Sequence, residues 1–398
     1  MSSIYANPSH IAPETNTGIS PYTASVEAVP IDQWALDPAI VHLNHGSYGG
    51  CPRSVLAAAD AWRTRLEAAP MKFLVLDWQR ELDRARERVA AFVQAPVERL
   101  AFVPNATTGV AIALAHAKLG PGDEVITTDH AYRAVKNQLD RTGARVIVVP
   151  IDLPFARVRF ISQFLSEVTS RTRLAVLDHI TSPTALRLPV EQLVGLLRAK
   201  GVDTLVDGAH APGQVDLDVT ALGARYYTGN HHKWLCAPKG SAFLVAPADA
   251  MPLVVSHGAS AEYGPPNRFH ALHDWTGTHD PSAYLAVPTA IDTVGELGGG
   301  WPAVIARNHA VAVEMRRRFL DHFGGEPLAP DDAIGSMASM TLATSVPALE
   351  LEQRLLLDGW EVPVIPRPSG VLIRLSAHLY NDVDQVDALA VKLRSLVS

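Results

Sequence analysis

Lys233 lies in a stretch of sequence that is unusual for a surface lysine. The segment YYTGNHHKWLCAPKG, residues 226–240, surrounds it with aromatic residues, small residues and turn formers. A lysine drawn into a cleft of low dielectric constant has a lowered amine pKa, and this suits it to Schiff-base chemistry. Taken alone, the pattern fits a surface lysine as well.

Asp207 ends an apolar run and is followed by turn residues in LVDGAHAPGQ, residues 205–214. A carboxylate that is buried and unpaired there costs on the order of several kcal/mol, so it needs a cationic or proton-donating partner. A helix cap or a turn-forming aspartate explains the residue equally well.

A third segment could bind an anion. In FVPNATTGVAIAL, residues 102–114, an apolar strand is followed by Asn105, Thr107 and Thr108 and then by an apolar-periodic helix. Free N–H groups and hydroxyls at a helix start are well suited to a phosphate. An ordinary Asn or Thr cap is the alternative.

Together these three positions supply what pyridoxal 5′-phosphate needs. Its aldehyde requires an amine, its ring nitrogen requires an anion, and its phosphate requires a helix N-terminus. In an open α/β sheet, ligands bind at the carboxyl ends of the strands, where loops and helix starts converge. The elements around these residues must therefore form such a sheet.

Six short apolar or β-branched runs alternate with helix-length segments between residues 100 and 246. This pattern predicts a mainly parallel sheet covered by helices on both faces. The runs are LAFV (100–103), EVITT (124–128), ARVIVVP (144–150), RLAVLD (173–178), DTLVDG (203–208) and SAFLVA (241–246).

The pattern divides the chain into three parts. Residues 1–30 form an N-terminal arm, residues 31–284 a large α/β domain, and residues 285–398 a smaller C-terminal α+β domain. The last part contains a long amphipathic helix at 302–323, two strands in SMTLAT and VLIRLS, and a closing helix from about Asp384.

Composition narrows the class of protein. The 398 residues carry a formal charge of −7 and contain no apolar run near the ~20 residues that span a bilayer, so we expect neither a nucleic acid nor a membrane as partner. Cys51 and Cys236 form no metal-ligand spacing and no disulfide framework, and we expect no metal. The N-terminus lacks the layout of a signal peptide, so the expected location is the cytoplasm.

The chain resembles the fold-type I pyridoxal phosphate enzymes of the class V aminotransferase group and, within it, the isopenicillin N epimerase-like family, which includes lincosamide-tailoring lyases. This resemblance implies a mostly parallel seven-stranded sheet in the large domain, a smaller α+β domain, and a homodimer with shared active sites. The motifs that carry it are LNHGSYGG (43–50), NATTGV (105–110), TTDHAYRAV (127–135), DHITSPTALRLPV (178–190), VDGAHAPGQ (206–214), GNHHKWLCAPKGSAFL (229–244), WTGTHDPSAYLA (275–286) and IRLSAHLYN (373–381).

The resemblance also implies catalytic roles. Lys233 forms the imine with the cofactor and then shuttles the Cα proton, while Asp207 pairs with the pyridinium nitrogen and His210 lies near the phenolic oxygen. Tyr132 stacks on the cofactor ring, with His130 as the alternative.

Further binding roles follow from the same resemblance. Arg374 clamps the α-carboxylate of the substrate through its bidentate guanidinium group. The other implied contacts are Thr107, Thr108, Asn230 and His232 at the phosphate, Thr278 reaching the phosphate of the partner subunit, His179 and Thr181 as secondary cofactor contacts, and Asn44 and Gly46 on the substrate side.

Several reactions at Cα remain open. Epimerisation needs a second acid-base group, such as a histidine or Tyr284, on the face opposite Lys233. β-Elimination of a carbon-sulfur bond from a cysteine conjugate, or a decarboxylating deamination, is the second possibility, and ordinary transamination is the third. We expect removal of the Cα proton without net transamination, by a lyase or an epimerase of specialised, antibiotic-like metabolism.

Two further functional hypotheses are disfavoured. Cysteine desulfurases of the same group carry a nucleophilic cysteine on a loop ahead of the Arg-x-Ser segment, and residues 325–345 contain none, which disfavours persulfide-forming desulfuration. A non-catalytic module that senses pyridoxal phosphate would carry an added basic domain, and residues 1–30 are too short and too little charged for one.

Overall fold

The structure is a computed structural model, and it describes residues 28–256, 268–368 and 370–397. Of the predicted N-terminal arm, residues 1–30, residues 1–27 lie outside the described ranges. Within the described ranges, no helix is both long and apolar enough to cross a membrane.

A seven-stranded sheet forms the centre of the fold. Its strand order is β2-β8-β7-β6-β5-β3-β4, and only β8 runs antiparallel to its neighbours. The predicted mostly parallel seven-stranded sheet is therefore confirmed. The strands are β2 (Leu100–Val103), β3 (Glu124–Thr128), β4 (Arg145–Val149), β5 (Thr172–Asp178), β6 (Asp203–Asp207), β7 (Tyr226–Asn230) and β8 (Ala242–Val245).

Alternate residues of these strands belong to two separate apolar clusters. Leu174 and Val176 of β5 pack into one cluster, whereas Ala175 and Leu177 pack into the other. Successive side chains of a strand point to opposite faces, so the sheet is covered on both sides. This is the layered arrangement that the near-continuous apolar runs predict.

β7 is the strand that the sequence did not predict. Its sequence, YYTGN, contains Gly229 and Asn230, two residue types that are depleted in strands. A Cβ atom on Gly229 would lie 2.7 Å from the ring of Phe243 on the neighbouring strand. Close packing in the middle of the sheet therefore selects a glycine and overrides its low strand propensity.

Helices connect and cover the strands. Some long helices, such as Ala106–Ala117 and Trp301–Phe323, pack against strands, whereas Arg53–Ala68 and Asp384–Val397 pack mainly against other helices. A π-helix, Phe73–Asp77, joins the short helix Pro70–Lys72 to Trp78–Val93. The helices are α1 (His45–Tyr48), α2 (Arg53–Ala68), α3 (Pro70–Lys72), α4 (Trp78–Val93), α5 (Ala106–Ala117), α6 (Arg133–Leu139), α7 (Arg157–Ser166), α8 (Val190–Ala199), α9 (Val219–Leu222), α10 (Arg268–Asp274), α11 (Ser282–Leu285), α12 (Val287–Leu297), α13 (Trp301–Phe323), α14 (Ala348–Leu357) and α15 (Asp384–Val397).

The C-terminal strands form a smaller antiparallel sheet of order β11-β12-β9. β9 (Met337–Leu342), β11 (Val364–Pro366) and β12 (Val371–Ser376) build it, with Arg374 opposite Ser339. A separate parallel pair joins β1 (Val41–His42) to β10 (Trp360–Glu361). A strand from the N-terminal part of the chain therefore pairs with a strand of the C-terminal part. The sequence-based boundary assigns the first of these strands to the large domain, residues 31–284.

Gly49 lets the N-terminal segment approach the loop that carries Lys233. Its φ of +71° lies in the region that favours glycine, and a Cβ atom there would lie 1.9 Å from the carbonyl oxygen of His232 and 2.9 Å from that of Lys233. Any side chain at this position must push the two segments apart.

We expect Gly49→Ala to lower the free energy of unfolding more than Gly122→Ala does. Gly122 also has a positive φ, +98°, but a Cβ atom there meets nothing within 4 Å, so its substitution costs only the backbone strain of about 1–3 kcal/mol. Denaturant unfolding of both variants measures the difference. Equal losses would show that the close approach at Gly49 contributes nothing.

Candidate active site

A cavity of about 170 Å³ lies at the carboxyl ends of β5, β6 and β7. We call it the lysine cavity. These three strands each place their last residue in its wall, as expected for an open α/β sheet. The wall consists of Ser47, Tyr48, Asn105, Ala106, Thr107, Tyr132, Asp178, Ile180, Ser182, Asp207, Ala209, His210, Asn230, His232 and Lys233.

The amine of Lys233 is held in a form suited to nucleophilic chemistry. Burial lowers its pKa to about 7, and the positive charge of Arg374 adds to the effect, while Asp207 acts in the opposite direction. Its Nζ lies 3.0 Å from Nε2 of His210. A large fraction of this amine is therefore neutral near neutral pH.

His210 is oriented by its own neighbours. The indole N–H of Trp234 donates to Nδ1 of His210 at 3.5 Å, which leaves the ring proton on Nε2 and lets it donate to the neutral amine. Gln214 donates to the carbonyl of His210 at 2.7 Å and accepts from the N–H of Ser336 at 2.7 Å. The C-terminal part thus fixes the turn that carries His210, and burial lowers the pKa of the imidazole well below its usual value.

Two carboxyl groups lie side by side in the lysine cavity. Asp178 and Asp207 are register partners at the ends of the parallel strands β5 and β6, and both are buried. Burial raises the pKa of both groups, and the charge of Asp207 raises that of Asp178 further. Among the described residues neither forms an ion pair with a cation, so the pair is available to a cationic or proton-donating ligand.

The start of α5 forms another part of the wall. Asn105 caps the helix by accepting from the N–H and the hydroxyl of Thr108, and Asn230 accepts from the N–H of Ala106 at 2.9 Å. Thr107 and His232 line the cavity beside this helix end. The segment is thus an ordinary asparagine cap and, at the same time, a place where an anion meets the positive end of a helix dipole.

The loop after β7 is tied to the N-terminal segment. His45 donates from Nε2 to the carbonyl of Lys233 at 2.9 Å, and its Nδ1 accepts from the hydroxyl of Tyr380 at 2.8 Å. Its ring stacks on His378 at 4.1 Å, with Cys236 next to both. Burial raises the pKa of the Cys236 thiol, so this group supports the loop as a neutral packing partner.

Arg374 lies directly behind the cavity wall. Its guanidinium donates to the carbonyl of Ser182 at 2.6 Å, to Oδ1 of Asn44 at 3.1 Å and to the hydroxyl of Ser47 at 2.8 Å. All three acceptors are neutral, and burial lowers its pKa to about 10. In the described part of the chain no carboxylate neutralises it, which is the state expected of a guanidinium that binds an anionic substrate group.

The structure brings together half of the residues that the sequence singled out. Thr107, Tyr132, Asp207, His210, Asn230, His232 and Lys233 line the lysine cavity. Asn44 lies behind it against Arg374, and Gly46 donates to the hydroxyl of Ser376.

Other predicted contacts lie elsewhere. Thr108 and Thr278 line a separate cavity of about 450 Å³, together with Tyr284. Nδ1 of His179 lies 3.0 Å from the hydroxyl of Tyr227. The hydroxyl of Thr181 forms a hydrogen bond with that of Thr184, which also forms one with Nδ1 of His130. The side chains of His179, Thr181 and His130 thus form hydrogen bonds with neighbouring side chains at the strand ends and do not line the lysine cavity.

Sequence reasoning missed Asp178, Ser182, Ser47 and Tyr48 as cavity residues. For Asp178 the signal was present, because it ends RLAVLD in the same way as Asp207 ends DTLVD. For the two serines and the tyrosine, no local pattern marks the contact, since they reach the cavity only through packing against distant segments.

The donor set fits pyridoxal 5′-phosphate. Three kinds of group line the same cavity. They are the amine of Lys233 with its lowered pKa, the buried carboxyl groups of Asp178 and Asp207, which have no cationic partner in the described part of the chain, and the start of α5 with Thr107 and His232. These groups match the aldehyde, the ring nitrogen and the phosphate of that cofactor.

The chain matches the aminotransferase class-V family over residues 50–299. It is 35% identical to isopenicillin N epimerase of Amycolatopsis lactamdurans over 393 residues, which cover 92% of this chain and 97% of that protein. It is 37% identical to putative L-cysteine desulfhydrase 1 of Oryza sativa subsp. japonica over 332 residues, which cover 77% of this chain and 68% of that protein.

Among solved structures, the chain resembles the complex between the cystine C-S lyase C-DES and its reaction product cysteine persulfide. The TM-score is 0.79 at 21% identity, and the match covers 89% of this chain and 97% of that one. At this identity the likeness establishes the fold.

We expect the labelling of Lys233 in the cofactor-free chain by pyridoxal and borohydride to follow a titration centred near pH 7, because its amine pKa is about 7. Arg374→Gln should raise the midpoint, since it removes a positive charge that lowers this pKa, whereas Arg374→Lys retains the charge and should raise it less. Peptide mass spectrometry measures the labelled fraction. A native midpoint near 10.5, the ordinary lysine value, would contradict the assignment.

Proposed function

Because the chain belongs to the aminotransferase class-V family, we propose that it is a carbon-sulfur lyase that acts at Cα of a cysteine conjugate with pyridoxal 5′-phosphate as cofactor. The observation that carries this proposal is the amine of Lys233, with its pKa near 7, in one cavity with His210 and the carboxyl pair Asp178 and Asp207.

Each group of the cavity has a task in this reaction. When bound, the cofactor withdraws electrons from Cα and so stabilises the charge that proton loss leaves there. Asp207 would keep the ring nitrogen protonated, and the start of α5 with Thr107 and His232 would hold the phosphate. Arg374 binds the α-carboxylate, with Asn44 and Ser47 orienting its guanidinium.

Lys233 is the base of the reaction. Once its amine is free and neutral, it takes the Cα proton, and His210 stabilises the neutral form by donating from Nε2. The Cβ–S bond then breaks, and the sulfur leaves with the bonding pair as a thiolate that takes up a proton. The remaining aminoacrylate, once released from the site, takes up a proton at Cβ to become an imine, and water hydrolyses this imine to a keto acid and ammonia.

The placement of the second acid-base candidates favours elimination over epimerisation. Tyr284 lines the separate cavity, where it stacks on Phe102, and His130 is bonded to Thr184 outside the lysine cavity. Epimerisation needs a proton donor on the face opposite Lys233, whereas elimination uses Lys233 alone.

An epimerase remains the second candidate. The isopenicillin N epimerase of Amycolatopsis lactamdurans is matched over 97% of its length, and the half-exposed Tyr132 lines the lysine cavity. In that reaction Tyr132, instead of only stacking on the cofactor ring, would have to return the proton. The name of this epimerase also supports a role in specialised metabolism. The cytoplasmic location stays a prediction.

We further propose that the chain is a homodimer in which Thr278 completes the phosphate site of the partner subunit. The π-helix region exposes three large apolar side chains, Met71, Val75 and Leu76, to 65–76% of their surface. Such a run of exposed apolar residues is typical of a surface that a partner covers.

The reaction can be identified in heavy water. We expect the holoenzyme to release thiol and keto acid from cysteine conjugates, because Lys233 can remove the Cα proton and no opposing donor is needed. Lys233→Ala should reduce turnover by at least about 10³-fold, as expected for loss of a catalytic base, and should lose borohydride trapping of the cofactor. Lys200→Ala, at an exposed position, is the matched control.

Other products would change the assignment. Deuterium uptake at Cα with inverted configuration identifies an epimerase, and stoichiometric amino transfer to a keto acid identifies an aminotransferase. Borohydride trapping of the cofactor on a lysine other than Lys233 would overturn the site itself.

The dimer is tested by Leu76→Asp. A buried charge in an apolar interface is costly, so we expect this variant to sediment as a monomer and to bind pyridoxal phosphate at least about tenfold more weakly. Leu357→Asp, at a position of 88% exposure on α14, is the control and should leave both properties unchanged. A Leu76→Asp variant that stays dimeric would contradict this interface.

A further inference from the structure

A second cavity adjoins the lysine cavity and has no role in the mechanism above. We call it the side cavity; its volume is about 430 Å³, and its wall includes Asn44, Tyr48, Lys239, Glu352 and Glu361. Ser47 and Tyr48 of α1 line both cavities. The two cavities therefore meet at these two residues.

The side cavity also reaches the residues that orient Arg374. Asn44 and Ser47, which accept from the guanidinium, are part of its wall. Any substrate whose α-carboxylate is bound by Arg374 thus lies next to this space. At about 430 Å³ the side cavity falls in the size range of ligand pockets.

Of the charged residues on the wall of the side cavity, Glu361 has an ion-pair partner, whereas Lys239 and Glu352 have none among the described residues. Glu361 is neutralised by His42, whose Nδ1 lies 2.9 Å from the carboxylate. Lys239 donates only to the carbonyl of Gly49 at 2.9 Å, and Glu352 accepts only a long bond of 3.4 Å from the N–H of Val364. Within the described ranges neither Lys239 nor Glu352 forms an ion pair, although Lys239 acts at longer range on Glu361 and Glu352 on Arg374. The cavity therefore presents an ammonium and a carboxylate that no ion pair within these ranges occupies.

We propose that the side cavity binds the distal part of the substrate and that this part carries both a carboxylate, recognised by Lys239, and an ammonium, recognised by Glu352. The substrate class is then a zwitterionic cysteine conjugate or a peptide-like amino acid, and free cysteine is too short to use these contacts. This inference rests on the proposed function, in which Lys233 removes the Cα proton.

Four conjugates separate the two charges. S-Propyl-L-cysteine has an uncharged distal group, S-(2-carboxyethyl)-L-cysteine a carboxylate, S-(2-aminoethyl)-L-cysteine an ammonium, and L-cystathionine both. Thiol release and Cα deuterium exchange give kcat/KM for each conjugate with the holoenzyme. We expect each distal charge to raise kcat/KM about tenfold over the propyl compound, the effect of one charge-assisted hydrogen bond.

Two variants should remove these advantages separately. Lys239→Met should abolish the preference for the carboxyethyl over the propyl conjugate, and Lys239→Arg should retain it. Glu352→Gln should abolish the preference for the aminoethyl conjugate. Because the charge of Glu352 also raises the pKa of Arg374, Glu352→Gln can slow every substrate, and the ratio between conjugates cancels that common effect.

The outcomes distinguish the two proposals. Ratios that stay the same in all variants, or a native enzyme that prefers the propyl conjugate, would overturn the role of the side cavity while leaving the lyase assignment intact. A holoenzyme that neither exchanges the Cα proton of any of the four conjugates nor changes its visible absorption with them would instead overturn the proposed function.

Discussion

The site depends on keeping opposite charges apart inside the protein. Arg374 and the carboxyl pair Asp178 and Asp207 are all nearly buried, and in the described part of the chain they do not pair with each other or with another ion. An unpaired buried charge is costly, so a fold selected only for stability would join or replace these groups. Arg374 instead donates to neutral acceptors on Asn44, Ser47 and Ser182, and this leaves its charge available to a ligand of complementary charge.

The same constraint explains the amine of Lys233. Its positive form is disfavoured by burial and by Arg374, and the nearby carboxylate of Asp207 only partly offsets this. The neutral form is the one that reacts with an aldehyde and accepts a proton. A substrate carboxylate on Arg374 would weaken the repulsion between guanidinium and amine, so the binding of the substrate and the basicity of Lys233 are electrostatically linked.

Much of the central fold could be predicted from the sequence, because its strands are buried on both faces and leave near-continuous apolar runs. LAFV and EVITT became strands at the predicted residues, and Asp207 and Lys233 lie in one cavity as the strand-end rule requires. β7 was missed because the tight fit of Gly229 against Phe243 is a property of the assembled sheet. Ser47, Ser182 and Tyr48 were missed for a similar reason, since contacts between residues far apart in the chain leave no local pattern.

The pairing of β1 with β10 has a consequence for how the protein is made. Val41 lies opposite Trp360 and donates from its N–H to the carbonyl of Gly359 at 2.8 Å. The side chain of His42 contacts that of Glu361, which lies 319 residues further along the chain. During synthesis residues 41 and 42 are made long before residues 360 and 361, and they stay without their strand partner until those residues have left the ribosome. Completion of the candidate active site is therefore a late event of biosynthesis, and a nascent chain that stalls before residue 360 exposes Asn44 and Ser47 without the arginine that they orient.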